Sequence, residues 1–157
     1  MDRNAVINDL KEKLKSDILS FMEKSPKRIY IGIKPESIRK VAQTVFKDMG
    51  ARFNIASGID GRDGMEILYH FAFDEIGLIV SFRVKLDKTN LEIDSLATLF
   101  EAANWIEREL NEVLGIRFRG HPDMRRLLLP DNWPEGVYPL RRDYKEWDPN
   151  AIRDRGV

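Results

Sequence analysis

Apolar residues recur at helical spacing near the start of the chain: Ile7, Leu10, Leu14, Ile18, Phe21 and Met22. With Lys and Glu on the other side and Ser25-Pro26 as a stop, this spacing predicts a helix over 4–24. RIYIGI (28–33) reads as a short strand. Pro35 opens a second helical pattern, with Ile38, Val41, Ala42, Val45, Phe46 and Met49 on one face and Gly50 at its end. Three strand candidates follow, 51–57, 65–73 and 77–86, joined by the hairpin-like connections SGIDGRDG and DEIG. In the last of them Leu78, Val80, Phe82, Val84 and Leu86 share one face while Ser81, Arg83 and Lys85 share the other, as in a sheet with one covered face. ILYHFAF (67–73) is apolar on both faces and predicts a central strand. A third helix runs from Asp94 or Ser95 to Leu114, where Gly115 stops it. The order α-β-α-β-β-β-α predicts an α+β fold, with helices on one side of a mainly antiparallel four-stranded sheet.

From Arg117 the pattern is lost. Residues 117–157 hold five of the seven prolines, eight of the fifteen arginines and two of the three tryptophans. A patternless stretch this long is unusual in a compact domain. It is also too apolar for a disordered tail: Leu127, Leu128, Leu129, Trp133, Tyr138, Leu140, Tyr144 and Trp147 all call for burial. The chain therefore divides into an α+β domain with an N-terminal helix (1–116) and an extended tail (117–157) expected to dock on a partner.

The third helix presents two anomalies on a helical wheel. Glu107 falls in the stripe of Leu96, Leu99, Phe100, Ala103, Ile106, Leu110 and Leu114, where an unpaired carboxylate is costly. Three readings stay open: a slightly rotated helix, a pairing with an arginine of the following segment, or a catalytic acid. Trp105 falls on the opposite side, amid Glu101, Arg108 and Glu112, and calls for cover by the tail or a partner.

Composition removes most chemistry. Lys plus Arg equals Asp plus Glu at 26 each, so no general polyanion surface is expected. There is no Cys, hence no disulfide, thiolate cluster or Cys nucleophile. The two histidines, His70 and His121, lie in no zinc, calcium or triad spacing. The charged N-terminus does not read as a signal peptide, and no apolar run reaches the ~20 residues of a membrane span. The tail mixes nine Lys or Arg with seven Asp or Glu, which suits a protein surface better than nucleic acid.

Two segments then become specific. ERELNEVLGIRFRGHPDMRRLLL (107–129) and PLRRDY (139–144) resemble the signatures of the thirty-kilodalton subunit family of respiratory complex I, a likeness covering roughly 28–147. Glu107-Arg108-Glu109 stands for the family's Glu-Arg-Glu triplet, and Glu112 stands where Asp is usual. Gly120-His121-Pro122-Asp123 with Arg125-Arg126 completes the first signature.

The resemblance implies a subunit with no cofactor of its own, in the peripheral arm of an ion-translocating membrane oxidoreductase. Iron–sulfur clusters, and in some relatives a nickel–iron centre, belong to partner subunits. The implied partners are the large catalytic subunit (forty-nine-kilodalton or hydrogenase large-subunit type), which the C-terminal extension wraps, and the small iron–sulfur subunit. The implied location is the cytoplasmic face, with the membrane reached only through partners. WPEGVYPLRR (133–142) has Val137-Tyr138 in place of the His in the family's usual Trp-x-Gly-His-Pro-Leu-Arg-Lys, which resembles the energy-converting nickel–iron hydrogenase branch more than the quinone-reducing one. The residues expected to fix tail and interface are Trp105, Glu107, Arg108, Glu109, Glu112, His121, Arg125, Arg126, Trp133, Tyr138, Arg141, Arg142 and Tyr144.

Overall fold

The computed structural model describes residues 2–145; Trp147, counted above among the apolar tail residues, lies outside them. The first helix, α1 (Arg3–Lys13), is capped by the Asp2 carboxylate, which accepts from the Ala5 N–H at 3.1 Å. It buries Val6, Ile7 and Leu10 and ends at Leu14, well short of the predicted 24. Residues Ile18–Ser25 instead form a strand, β1, paired antiparallel with β2 (Arg28–Ile33). Register shifts at Ile18/Ser20 and Glu23/Ser25 break its alternation. A bulge adds a residue between same-face positions, so Ile18 and Phe21, three apart, both reach the core. That spacing imitates a helix, which explains the misread segment.

The turn before β1 is pinned by Asp17, whose carboxylate accepts from the Ser37 hydroxyl and the Lys40 ammonium, each at 2.7 Å. The second helical segment is α-helical only over α2 (Ile38–Gln43), with a 3-10 turn at Pro35–Ser37 before it and a π turn at Thr44–Asp48 after it. The strands β3 (Arg52–Asp60), β4 (Met65–Phe73) and β5 (Leu78–Leu86) follow as a meander. The sheet has five strands in the order β1-β2-β5-β4-β3, all antiparallel except β2 with β5. The centre is therefore β5, and the doubly apolar β4 lies between it and the edge strand β3.

One face of this sheet meets the helices. Leu10, Ile31, Val41, Phe71, Phe82 and Leu110 belong to a single buried cluster, with Phe46, Phe53 and Phe100 in ring contact. A short parallel pair, β6 (Glu92–Asp94) and β7 (Arg117–Arg119), brackets the third helix. That helix, α3 (Ala102–Leu114), begins later than the sequence suggests, because residues 95–101 are taken up by turns. It lies close on β3: a Cβ on Gly58 would stand 2.8 Å from a Leu110 methyl.

Candidate functional site

Glu107 is 1% exposed, and its partners are not arginines of the following segment. Its carboxylate accepts from the Ser95 hydroxyl at 2.5 Å and from the Leu96 N–H at 2.6 Å. Those donors hold the turn that replaces the predicted first helical turns. Arg39 donates to the Ser95 carbonyl at 2.9 Å and brings positive charge to the same corner. Burial outweighs these donors and pushes the Glu107 carboxyl up to about 7. The buried Tyr69 hydroxyl is raised too, by its own burial and by the Glu107 charge, and it has no hydrogen-bond partner among the described residues.

His121 closes this corner where the chain leaves the domain. Its Nδ1 accepts from the Asp123 N–H at 3.0 Å, so Nε2 carries the proton and donates to the Asn104 carbonyl at 3.1 Å. The same Nε2 lies 3.9 Å from a Glu107 carboxylate oxygen, and both side chains are 1% exposed. The His121 ring thus serves as a staple from the tail to α3.

One turn further along α3, the helix grips the tail by its main chain. The Arg108 guanidinium, expected on the polar side beside Trp105, is buried and donates to the Arg125 and Arg126 carbonyls, both at 2.8 Å. Glu112, at i+4, accepts from the Leu127 N–H, from Leu128 N–H at 2.8 Å and from Leu129 N–H at 3.1 Å. A cation thus satisfies two carbonyls and an anion three amides, and none of these contacts reads a tail side chain.

Beyond the clamp the tail turns on its own bonds. Arg126 donates to the Pro130 and Trp133 carbonyls, both at 2.8 Å, and Trp133 Nε1 donates to the Val137 carbonyl at 2.8 Å. The Trp133 and Tyr144 rings stack at 6.3 Å. Arg141 lies over the Tyr138 ring at 4.1 Å and donates to the Leu114 carbonyl at 2.7 Å, satisfying the C-terminal end of α3. This contact needs Gly115, whose φ is 75° and where any Cβ would overlap Arg141 and sit 2.7 Å from the Tyr138 ring. The Arg142 N–H donates to Asp60 at 2.8 Å, a carboxylate also paired with Lys88 at 2.8 Å.

The predicted residues therefore fall into three sets. Glu107 and His121 form the exit corner. Arg108, Glu112, Arg126, Trp133, Tyr138, Arg141 and Tyr144 shape the tail against α3, with Arg142 joining through its main chain. Among the described residues the Arg125 side chain pairs with nearby Asp123, at 2.7 Å, and Trp105 and Glu109 line an open groove. Ser95, Arg39, Asn104 and Asp60 were not expected: each is an ordinary polar residue far from its partner in sequence, and no local signal marks it. Among the described residues no cluster of three or more His, Asp or Glu could hold a metal ion, and no helix is long and apolar enough to cross a membrane.

Comparison with known proteins matches residues 31–149 to the respiratory-chain NADH dehydrogenase 30 kDa subunit. The chain belongs to this family. It is 29% identical over 159 residues to the C subunit of the F420H2 dehydrogenase of Methanosarcina mazei, covering 98% of this chain and 99% of that protein. Against the NADH-quinone oxidoreductase C subunit of Chloroherpeton thalassium identity is 35% over 142 residues, covering 87% of this chain but 58% of the relative. The fold is that of a chain in the membrane-bound sulfane sulfur reductase, an archaeal respiratory membrane complex, with a TM-score of 0.80, 19% identity, and 92% of this chain and 86% of that one covered.

Proposed function

We propose that this chain is a peripheral-arm subunit of an ion-translocating membrane oxidoreductase related to complex I. In this role it holds no redox centre and makes or breaks no bond. It braces the large catalytic subunit and keeps it aligned with the small iron–sulfur subunit, at the cytoplasmic face, reaching the membrane only through those partners. The α+β domain is the platform and the tail is the strap that reaches the large subunit.

The observation that carries this reading is the main-chain clamp of Arg108 and Glu112. It fixes the course of residues 125–129 while Arg125 and Leu128 point outward, and Leu140 and Arg142 are likewise exposed further on. A segment ordered beforehand gives up less conformational entropy when it meets a partner. The names of the relatives, one a dehydrogenase subunit and the other a quinone oxidoreductase subunit, agree with a subunit role. Two branches follow from two observations. WPEGVYPLRR supports the energy-converting nickel–iron hydrogenase branch, and the full-length likeness to the F420H2 dehydrogenase subunit supports a dehydrogenase fed by another donor. A neighbouring large-subunit gene with four cysteines for nickel selects the first, and one without them the second.

The test is co-purification. The tagged full chain, extracted with host membranes, is expected to bring down a large subunit and an iron–sulfur subunit. Deleting 130–157 is expected to leave the circular dichroism of the α+β domain intact and abolish that association. Normal assembly of the truncated chain would overturn the proposal.

A further inference from the structure

The first two turns of α3 carry a surface that, among the described residues, neither the core nor the tail covers. Trp105 is 69% exposed, and beside it stand Ile55 of β3, 50% exposed, and Leu128 of the tail, 59% exposed. These side chains belong to one shallow groove of about 310 Å³. Its floor is Ala102, Trp105, Ile106 and Glu109 of α3, and its walls are the edge strand β3 and the extended segment at 127–128. Isolated exposed apolar residues need no explanation, but three large ones from three separate elements converging on one groove mark a contact surface. A tryptophan at the centre of such a surface is the side chain most often found to carry binding energy.

The charge around the groove narrows the occupant. Glu101 and Glu109 stand four residues either side of Trp105, so all three share one helix face. Neither side-chain carboxylate has a hydrogen bond or ion pair among the described residues. The guanidinium groups near in sequence to the groove's lining residues are engaged elsewhere: Arg108 on the tail carbonyls, Arg126 on the Pro130 and Trp133 carbonyls, Arg125 on Asp123, and Arg52 on Asp74 at 2.8 Å. An aromatic anchor between two unneutralised carboxylates fits a segment that offers apolar side chains flanked by cations. The floor runs from residue 102 to 109, about 10 Å along the helix axis, which is two turns of a partner helix or three extended residues.

We infer that the Trp105 groove is the docking site for a short apolar segment flanked by Lys or Arg, supplied by another subunit of the same complex. The inference rests on the subunit reading and adds a second attachment, separate from the strap. The groove sets position through Trp105, Ile55 and Leu128, and the two glutamates choose the sign of the partner.

The test places a photoreactive benzoylphenylalanine at position 105 of the full chain and irradiates the assembled complex. The expected cross-linked peptide comes from a different subunit and has a Lys or Arg within about four residues of an apolar attachment point, one helical turn. A link only to Leu127 or Leu128, which already line the groove, to the tail beyond Leu129, to a second copy of the chain or to an acidic peptide overturns the inference, as does no link in a complex that has assembled. In parallel, Glu101→Lys with Glu109→Lys is expected to leave folding unchanged, since both side chains are outside the core. The pair is expected to make the subunit dissociate at markedly lower salt. Unchanged retention across the salt range overturns the role of the charges. Because the strap is intact in these variants, failure here with continued assembly removes the groove alone, whereas failure of the tagged full chain to co-purify with any subunit removes the reading beneath it.

Discussion

At the scale of single residues, Glu107 has the clearest measurable consequence. Its carboxyl is raised from 4.5 to about 7 by burial, so the folded chain keeps a proton that the unfolded chain has released. The Glu107 contribution to stability is therefore fully present below the unfolded value and is lost as pH climbs through the folded one. At ~1.4 kcal/mol per unit, the loss between about pH 4.5 and 7 is about 3 kcal/mol. Glu107→Gln keeps an acceptor for the Leu96 N–H without the titration. Urea unfolding at pH 5, 6, 7 and 8 should show the parent losing stability relative to this variant as pH rises; parallel curves would contradict the assignment. Tyr69→Phe removes a buried hydroxyl that lacks a partner among the described residues, and its Tm is expected to equal or exceed that of the parent. The sequence shows Glu107 to be out of place for a solvated acid, because it interrupts an apolar stripe. It does not show Ser95 as the partner, because Ser95 reads as the start of the same helix and becomes a neighbour only when residues 95–101 turn instead.

At the scale of elements, the grip of α3 on the tail can be tested by its amides. Glu112→Ala removes the acceptor of three consecutive N–H groups, so hydrogen exchange at Leu127, Leu128 and Leu129 is expected to accelerate at least tenfold while the β4 and β5 amides stay protected. Gly115→Ala forces a side chain into left-handed backbone and against Arg141 and Tyr138. A cost of about 1–3 kcal/mol is expected in thermal or urea unfolding, together with loss of the Arg141 contact to Leu114. Gly115 is legible in the sequence as a helix stop, but the guanidinium that fills the space beside it comes from Arg141, far along the tail, and leaves no local mark. The strands 28–33, 65–73 and 77–86 are legible for a different reason: strict alternation or continuous apolar character belongs to one conformation over that length. β1 is not, since its bulges erase the alternation that identifies a strand.

At the scale of the whole molecule, acidic and basic side chains balance at 26 each and the sequence pI is about 6.8. Net repulsion between copies vanishes near neutral pH while Trp105, Leu128 and Leu140 remain exposed. The isolated chain is therefore expected to self-associate most strongly between pH 6 and 8, by light scattering, and to disperse on either side. The overall α+β arrangement follows from patterns within single segments. The parallel pairing of β2 with β5, which sets Ile31 beside Phe82, and the return of the tail onto α3, which brings Arg141 to Leu114, join positions far apart along the chain. Periodicity within one segment does not encode such meetings. The clamp itself has a consequence for how such a chain can diverge. Arg108 and Glu112 hold carbonyls and amides, which every residue but proline supplies alike. The outward side chains of Arg125 and Leu128 can therefore be rewritten to suit a new neighbour without altering the path of the backbone, so one fastening can serve machines of quite different chemistry.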